Sequence, residues 1–409
     1  MIRLDRALVV LAALIVLPAQ AQLAVRGRMV HTLDGPPIQN GVVLCRDGKI
    51  SRVGPADRVR IPAGYRVLEA EVVTPGLVDA HSVVGLAGWL NIGHDQDQLE
   101  TSQVMAPELR AIDAYNAREP LIEWIRGFGV TTIHTGHAPG ELISGQTLIA
   151  KTRGTTMEQA VIVPEAMVVA TLGDSSLRSG KEAPGTRAKQ VAMLRAKLIK
   201  AQEALAKKRS RRGKGDKGGR KLDLEVLMHV VDGKRPLLIT ANRLQDIMTA
   251  LRLREEFGFR LVLDGAAEVY EVLPEIRRAG VPVIVHPTMA RAHGERENLS
   301  MTTAAKLVEA GIPTALQAGY ESYVPKTRVV LFEAAVALAL GRDEGLDFEE
   351  ALGLITRDAA EIIGVGDRVG TLERGKDADL ALYDGDPFET TTHCIATVIE
   401  GEIVFEGQR

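Results

Sequence analysis

The pattern of apolar and polar residues changes twice along this chain. Residues 23–70 read as short strands and turns. Gly41-Val42-Val43-Leu44-Cys45 is an apolar strand, Arg46-Asp47-Gly48-Lys49 carries an Asp-Gly turn, and Ile50-Ser51-Arg52-Val53 alternates. That pattern predicts a β-hairpin in a small sheet. From residue 72, apolar runs of strand length alternate with helical spacing. Residues 72–79 form one such run. Residues 119–128 have helical spacing and precede Val130-Thr131-Thr132-Ile133. Residues 166–172, 237–239, 261–263, 281–285 and 314–316 are further apolar runs. Short apolar runs between helices predict a buried, mainly parallel sheet. Periodicity alone does not separate a closed barrel from a doubly wound sheet. After about residue 366 the strands return at 379–383, 395–399 and 403–405, with turns rich in Gly and Asp between them. The economical arrangement is one small β-domain built from residues 23–70 and 366–409, with a βα body at 71–365 inserted between.

Length fits this division. A (β/α)8 barrel uses about 250 residues, and the chain has 409. The formal net charge is −3, so nothing global points to nucleic acid. The exception is residues 207–221, basic and Gly-rich with no apolar face. This segment predicts a solvated, flexible loop, with a polyanion-binding patch as the sharper alternative. At the start of the chain, Arg3 and Arg6 precede an apolar run at 7–17, and Pro18-Ala19-Gln20-Ala21 follows. Together these predict a signal peptide over 1–21, cleaved after Ala21, and hence a periplasmic or secreted protein. An uncleaved anchor is the alternative. The run is about half the ~20 residues a membrane span needs, and no later stretch is long enough, so the mature chain is expected not to be transmembrane. Export permits disulfides. The two cysteines, Cys45 and Cys394, form one bridge or remain two buried thiols.

Two stretches carry a family resemblance. They are Thr74-Pro75-Gly76-Leu77-Val78-Asp79-Ala80-His81 and Gly370-Thr371-Leu372-Glu373-Arg374-Gly375-Lys376-Asp377-Ala378-Asp379-Leu380, the latter running to Asp384-Gly385-Asp386-Pro387. Both resemble the amidohydrolase superfamily, in its imidazolonepropionase-like group. Residues 356–364 resemble that family's last barrel helix. The resemblance implies an α/β fold: a (β/α)8 TIM-like barrel of the metal-dependent hydrolase type plus the composite β-domain. It also implies zinc or a similar divalent ion at the barrel mouth, which lowers the pKa of a bound water that attacks a carbonyl-type carbon. The implied ligands are a His-x-His on strand one, a His on each of strands five and six, and an Asp on strand eight.

Most of these positions are altered. Strand one reads His81-Ser82-Val83, so His81 is retained as a metal ligand candidate and the second His is Val83. Strand five ends Thr240-Ala241-Asn242, strand six Asp264-Gly265, and strand eight Gln317-Ala318-Gly319. A lone His81 is short of the three or more protein ligands a zinc site uses, so any ion is expected to be absent or weakly held. A relocated site is the alternative, because His134, His137, His286 and Asp264 all fall near strand ends, and barrel strand ends converge. His94 and Asp95 lie in the loop after strand one. Ser82 beside His81 is not a nucleophile–base pair, since strand neighbours point to opposite faces. Ser144-Gly145-Gln146 resembles a family Gly-Gly-Gln stretch at the mouth, and Lys151 reads as a surface lysine. Two functions follow: a hydrolase of carbon–nitrogen bonds other than peptide bonds, or a catalytically inactive relative that binds a ligand or stabilises a partner. Expected partners are a small molecule and, in an oligomer, an active relative.

Overall fold

The computed structural model describes residues 22–179, 183–210, 219–320 and 329–407. The segment read as an export signal lies outside the described residues, as do residues 211–218 of the basic stretch. No helix among the described residues is long and apolar enough to cross a membrane.

Four strands open the fold: β1 Leu23–Val30, β2 Ile38–Arg46, β3 Lys49–Pro55 and β4 Arg66–Pro75. Ten follow in the body: β5 Leu77–Ser82, β6 Val130–Thr135, β7 Ile143–Gln146, β8 Leu148–Lys151, β9 Val161–Val163, β10 Val168–Thr171, β11 Leu237–Ala241, β12 Leu261–Gly265, β13 Val283–Val285 and β14 Thr314–Ala315. Three close the chain: β15 Leu380–Tyr383, β16 Cys394–Ile399 and β17 Glu402–Glu406. Both ends of the chain share one sheet, ordered β17-β16-β15-β4-β1-β2-β3. Its core holds Val25, Val43, Cys45, Leu380 and Val398. Cys45 and Cys394 are free thiols, and burial pushes the Cys45 thiol up to about 12.

Strand β4 runs straight into β5 through Pro75-Gly76. The turn needs glycine, because a Cβ at Gly76 would stand 2.3 Å from the Thr131 side chain. Strands β10 to β14 are parallel neighbours, and β5 pairs parallel with β6. One stave runs the other way: β7 and β8 are two halves of residues 143–151. β8 pairs antiparallel with β6 and β7 antiparallel with β10. The ring is completed where Ala80 N donates to Leu316 O (3.3 Å) and Ser82 bridges Gly319. Eight staves therefore surround the interior. Inward residues fill it, among them Val78, Ile149, Val169, Leu238, Val262, Ile284 and Ala315. Helix Arg357–Ile363 packs on this layer through Ala359, Ala360 and Ile363, and Val78 N donates to Ile355 O (2.8 Å).

Two sequence expectations are corrected. The helix Arg187–Ser210 runs through Lys207, Lys208 and Arg209, which were read as loop. Ala, Leu, Lys and Arg propagate a helix well, and cations in its last turn suit the helix dipole. Lys151 is not on the surface but wholly buried. Its Nζ lies 2.5 Å from Asp379 and 3.0 Å from Asp377, just before β15. Asp377 also receives Lys49 (2.6 Å) and Arg368 (3.0 Å). Attraction to these cations outweighs burial and holds the Asp377 carboxyl below its ordinary value. This cluster ties the barrel stave β8 to the small sheet. Breaking a buried pair from one side leaves uncompensated charge. Lys151→Met is therefore expected to cost about 3–5 kcal/mol, read as a lower midpoint in urea denaturation. A change below about 1 kcal/mol would show that the cluster behaves as a solvated surface pair.

Candidate functional site

Strand residues alternate in and out, so each inward apolar residue is followed two positions later by another inward one. Beyond Leu238, Val262, Ile284 and Ala315 those positions are Thr240, Asp264, His286 and Gln317. On β6 the matching pair is Thr132 and His134. The result is a polar layer lying on an apolar floor at the C-terminal ends of the strands, the end at which barrel enzymes carry their sites. Every member is buried.

Asp264 organises this layer. Its Oδ1 receives His81 Nδ1 (3.0 Å) and Gln317 Nε2 (2.8 Å), and its Oδ2 receives Thr240 Oγ1 (2.5 Å). Burial alone would raise its pKa, but attraction to His81 and these three hydrogen bonds outweigh it, so the carboxyl sits below its ordinary value. Gln317 Nε2 also donates to Val285 O (3.0 Å), which fixes which end of that amide faces the carboxylate. Asp79, beneath, accepts backbone N–H groups of His81 (3.3 Å) and Ala318 (3.2 Å). Burial dominates there and lifts Asp79 to about 7.

His134 is held by two bonds, Nδ1 with Ala80 O and Nε2 with Thr147 Oγ1, each 2.6 Å. Its ring lies 5.8 Å from that of His81. His137 lies against Gly145, where a Cβ would meet its ring at 2.4 Å. His286 Nδ1 donates to Pro287 O (3.0 Å). His94 is exposed, and Asp95 shapes its own loop by accepting Leu90 N (3.0 Å). Ser82 Oγ accepts Val84 N (3.1 Å). Of His81, His134, His137, His286 and Asp264, only His81 and Asp264 share a hydrogen bond. Among the described residues, no three His, Cys, Asp or Glu side chains are grouped to hold a metal.

The positions implied as ligands do not fit a divalent ion either. Val83 is buried in an apolar cluster with Ala87, Ala138, Leu99 and Tyr320, and the Tyr320 ring lies 5.6 Å from that of His81. Gly265 has φ +73°, and a Cβ there would stand 2.8 Å from Asn242 Oδ1. Gly319 has φ +104°. Backbone of this kind strains any L side chain. Both positions are thus shaped around glycine. His81 remains, with Nδ1 on Asp264 and Nε2 buried and unpartnered.

Thr147, Asp79 and Gln317 were missed as members of the site. Extending the strand alternation two residues past each apolar run would have found Gln317. Nothing in the sequence signals Thr147, because its stave runs antiparallel.

The profile of the Amidohydrolase family matches residues 277–405. Amidohydrolase tasK of Hapsidospora irregularis is 25% identical over 402 residues, which cover 90% of this chain and 40% of that protein. The chain thus spans less than half of that relative. Imidazolonepropionase of Brucella anthropi is 24% identical over 404 residues, 85% of this chain and 87% of that one. A solved amidohydrolase of Thermotoga maritima has a TM-score of 0.86 at 27% identity, covering 94% of this chain and 100% of that one. An adenosine deaminase of Xanthomonas campestris, at 15% identity and a TM-score of 0.55, shares the fold. The chain belongs to the amidohydrolase superfamily, with its TIM-barrel fold. Within the superfamily it is imidazolonepropionase-like.

The buried His134 makes stability depend on pH. Burial, the largest cause, with the His81 charge second, depresses its pKa to about 3, below the ordinary 6.5. The unfolded chain then binds the extra proton first, so stability falls as pH drops from about 6.5 toward 3. One such group is worth about 1.4 kcal/mol per pH unit across that window. His134→Gln is expected to flatten this acid limb in urea melts at pH 7 and about pH 4.5. Equal slopes for the two proteins would show that His134 is not held neutral.

Proposed function

We propose that this amidohydrolase-family chain binds a small polar ligand at its barrel mouth without the family's metal centre. One observation carries the reading. The carboxylate at the end of β12 is fully engaged by His81, Thr240 and Gln317, while the neighbouring ligand positions Gly265 and Gly319 have left-handed backbone. A divalent ion needs several donors at one point, and among the positions implied as ligands only His81 offers a free imidazole nitrogen, beside the neutral amide oxygens of Gln317 and Asn242. Buried polar groups around that atom still favour a bound molecule.

A second reading is hydrolysis of a carbon–nitrogen bond other than a peptide bond. The imidazolonepropionase likeness over 85% of the chain favours it. So does the unpartnered His81 Nε2, whose ring is oriented by Asp264 as a general base would be.

Elemental analysis of the purified chain, before and after zinc supplementation, separates the two when combined with assays on cyclic and N-acyl amides. The expected result is below about 0.1 metal ion per chain with no hydrolysis, since the family reaction runs through a bound ion. Stoichiometric zinc that His81→Ala removes, together with zinc-dependent turnover, would overturn the proposal. Turnover without metal that is lost in His81→Ala would establish the second reading.

A further inference from the structure

The barrel mouth carries a specific pattern of unsatisfied atoms. His81 Nε2, Gln317 Oε1 and Asn242 Oδ1 are buried and have no hydrogen-bond partner. Buried polar atoms are nearly always paired, so a group of orphans calls for an explanation. These three belong to one place. His81 and Gln317 both contact Asp264 Oδ1, and Asn242 stands against Gly265, the next residue.

The hydrogen-bond roles of two of them are fixed by their other ends. Asp264 and Val285 O are acceptors, so the Gln317 NH2 must face them and Oε1 is the free acceptor. When the His81 ring is neutral, its Nδ1 donates to the carboxylate and its Nε2 carries a lone pair. The site therefore offers lone pairs and asks for N–H or O–H donors. Charge points the same way. The only buried Lys and Arg among the described residues are Lys151 and Arg235. Lys151 pairs with Asp377 and Asp379, and Arg235 with Gln146 and Glu165. Among the described residues, no buried lysine or arginine compensates Asp264.

We infer that the barrel mouth takes a small cation rich in N–H donors, of the guanidinium or amidinium class, donating to His81 Nε2, Gln317 Oε1 and Asn242 Oδ1 beside the Asp264 carboxylate. The inference rests on the metal-free reading of the same site. A planar cation with several N–H groups in a fixed fork satisfies more than one acceptor at once. An anion would face the buried carboxylate, and a cation without N–H groups would leave the acceptors bare.

The test is calorimetric titration and thermal melting of the purified, chelator-treated chain with three probes. Methylguanidinium at millimolar concentration is expected to bind and raise the melting temperature. Tetramethylammonium, with the same charge and no N–H, is expected to do neither, and neutral urea to bind more weakly. Asp264→Asn should weaken methylguanidinium at least about tenfold. Because Asp264 also holds the layer together, Asn242→Leu serves if that variant fails to fold. It leaves the Asp264 hydrogen bonds intact and should also weaken binding about tenfold. Equal effects of methylguanidinium and tetramethylammonium, no binding of any probe, urea as strong as methylguanidinium, or unchanged affinity in Asn242→Leu would each overturn the inference. Metal content measured on the same sample keeps the failures apart. Stoichiometric metal sinks the metal-free reading, whereas no metal and no methylguanidinium binding sinks the cation site alone.

Discussion

A carboxylate sealed from water must have its oxygens filled, and Asp264 is such a carboxylate. It lies at the end of β12 with no solvent contact. Leaving a buried charge unpaired costs several kcal/mol, so the neighbouring staves answer it. Thr240 comes from β11, His81 from β5 and Gln317 from just past β14. These three staves lie on different sides of β12. β11 is its direct neighbour, β14 is separated from it by β13, and β5 is reached by the bridge from Ser82 to Gly319. One side chain thus sets the rotamers of three others around a large part of the barrel rim.

The opposite end of the barrel meets the same constraint with inverted roles. There the sealed group is a cation, Lys151, and the neighbours that answer it are Asp377 and Asp379 from the small sheet. Both clusters are intrachain and buried, yet their consequences differ. Lys151 spends its charge entirely on joining the β-domain to the barrel, and one of its acidic partners, Asp377, gains Lys49 and Arg368 nearer the surface. Among the described residues Asp264 is met by a histidine, a hydroxyl and an amide. The lower cluster therefore balances its charge with lysine and arginine, and the described part of the mouth uses neither. A protein under no demand beyond folding would place apolar residues of similar volume there, which is often neutral or stabilising.

Much of this fold was legible in the sequence, for physical reasons. Apolar runs such as Leu237-Leu238-Ile239 are buried on both faces and say so. The stretch from Thr74 to His81 marks the passage from sheet to barrel because Gly76 alone fits against Thr131. The antiparallel stave was not legible as such, since Ile143-to-Lys151 reads as an apolar strand whichever way it points. Lys151 looked like a surface residue because its partners lie 226 and 228 positions away in sequence, and no local pattern carries that contact. For the site, the resemblance implied replaced ligand positions at Val83, Thr240 or Asn242, Gly265 and Gly319. It did not reveal that Asp264 gathers Thr240, His81 and Gln317. A side-chain hydrogen bond between strands depends on which staves are neighbours, and that is a property of the closed ring.

The glycines constrain what the mouth can carry. Had Gly265 and Gly319 extended backbone, each would be one side chain away from a ligand. Their φ values of +73° and +104° lie where only glycine is comfortable. A histidine at 265 would cost backbone strain and would meet Asn242, and Asn242 itself stands where the resemblance implies a ligand-bearing strand end. Val83 adds a third barrier, since it packs with Ala87, Leu99, Ala138 and Tyr320 rather than facing open space. These features support one another: the left-handed turn at 265 admits Asn242, the Asp264 network fixes His81, and the apolar cluster fills the volume beside it. A metal-ligand set at these positions would need coordinated changes on several strands and in the loop after β5. Family membership accordingly fixes the scaffold of this chain. Its chemistry has to be read from the Asp264 layer.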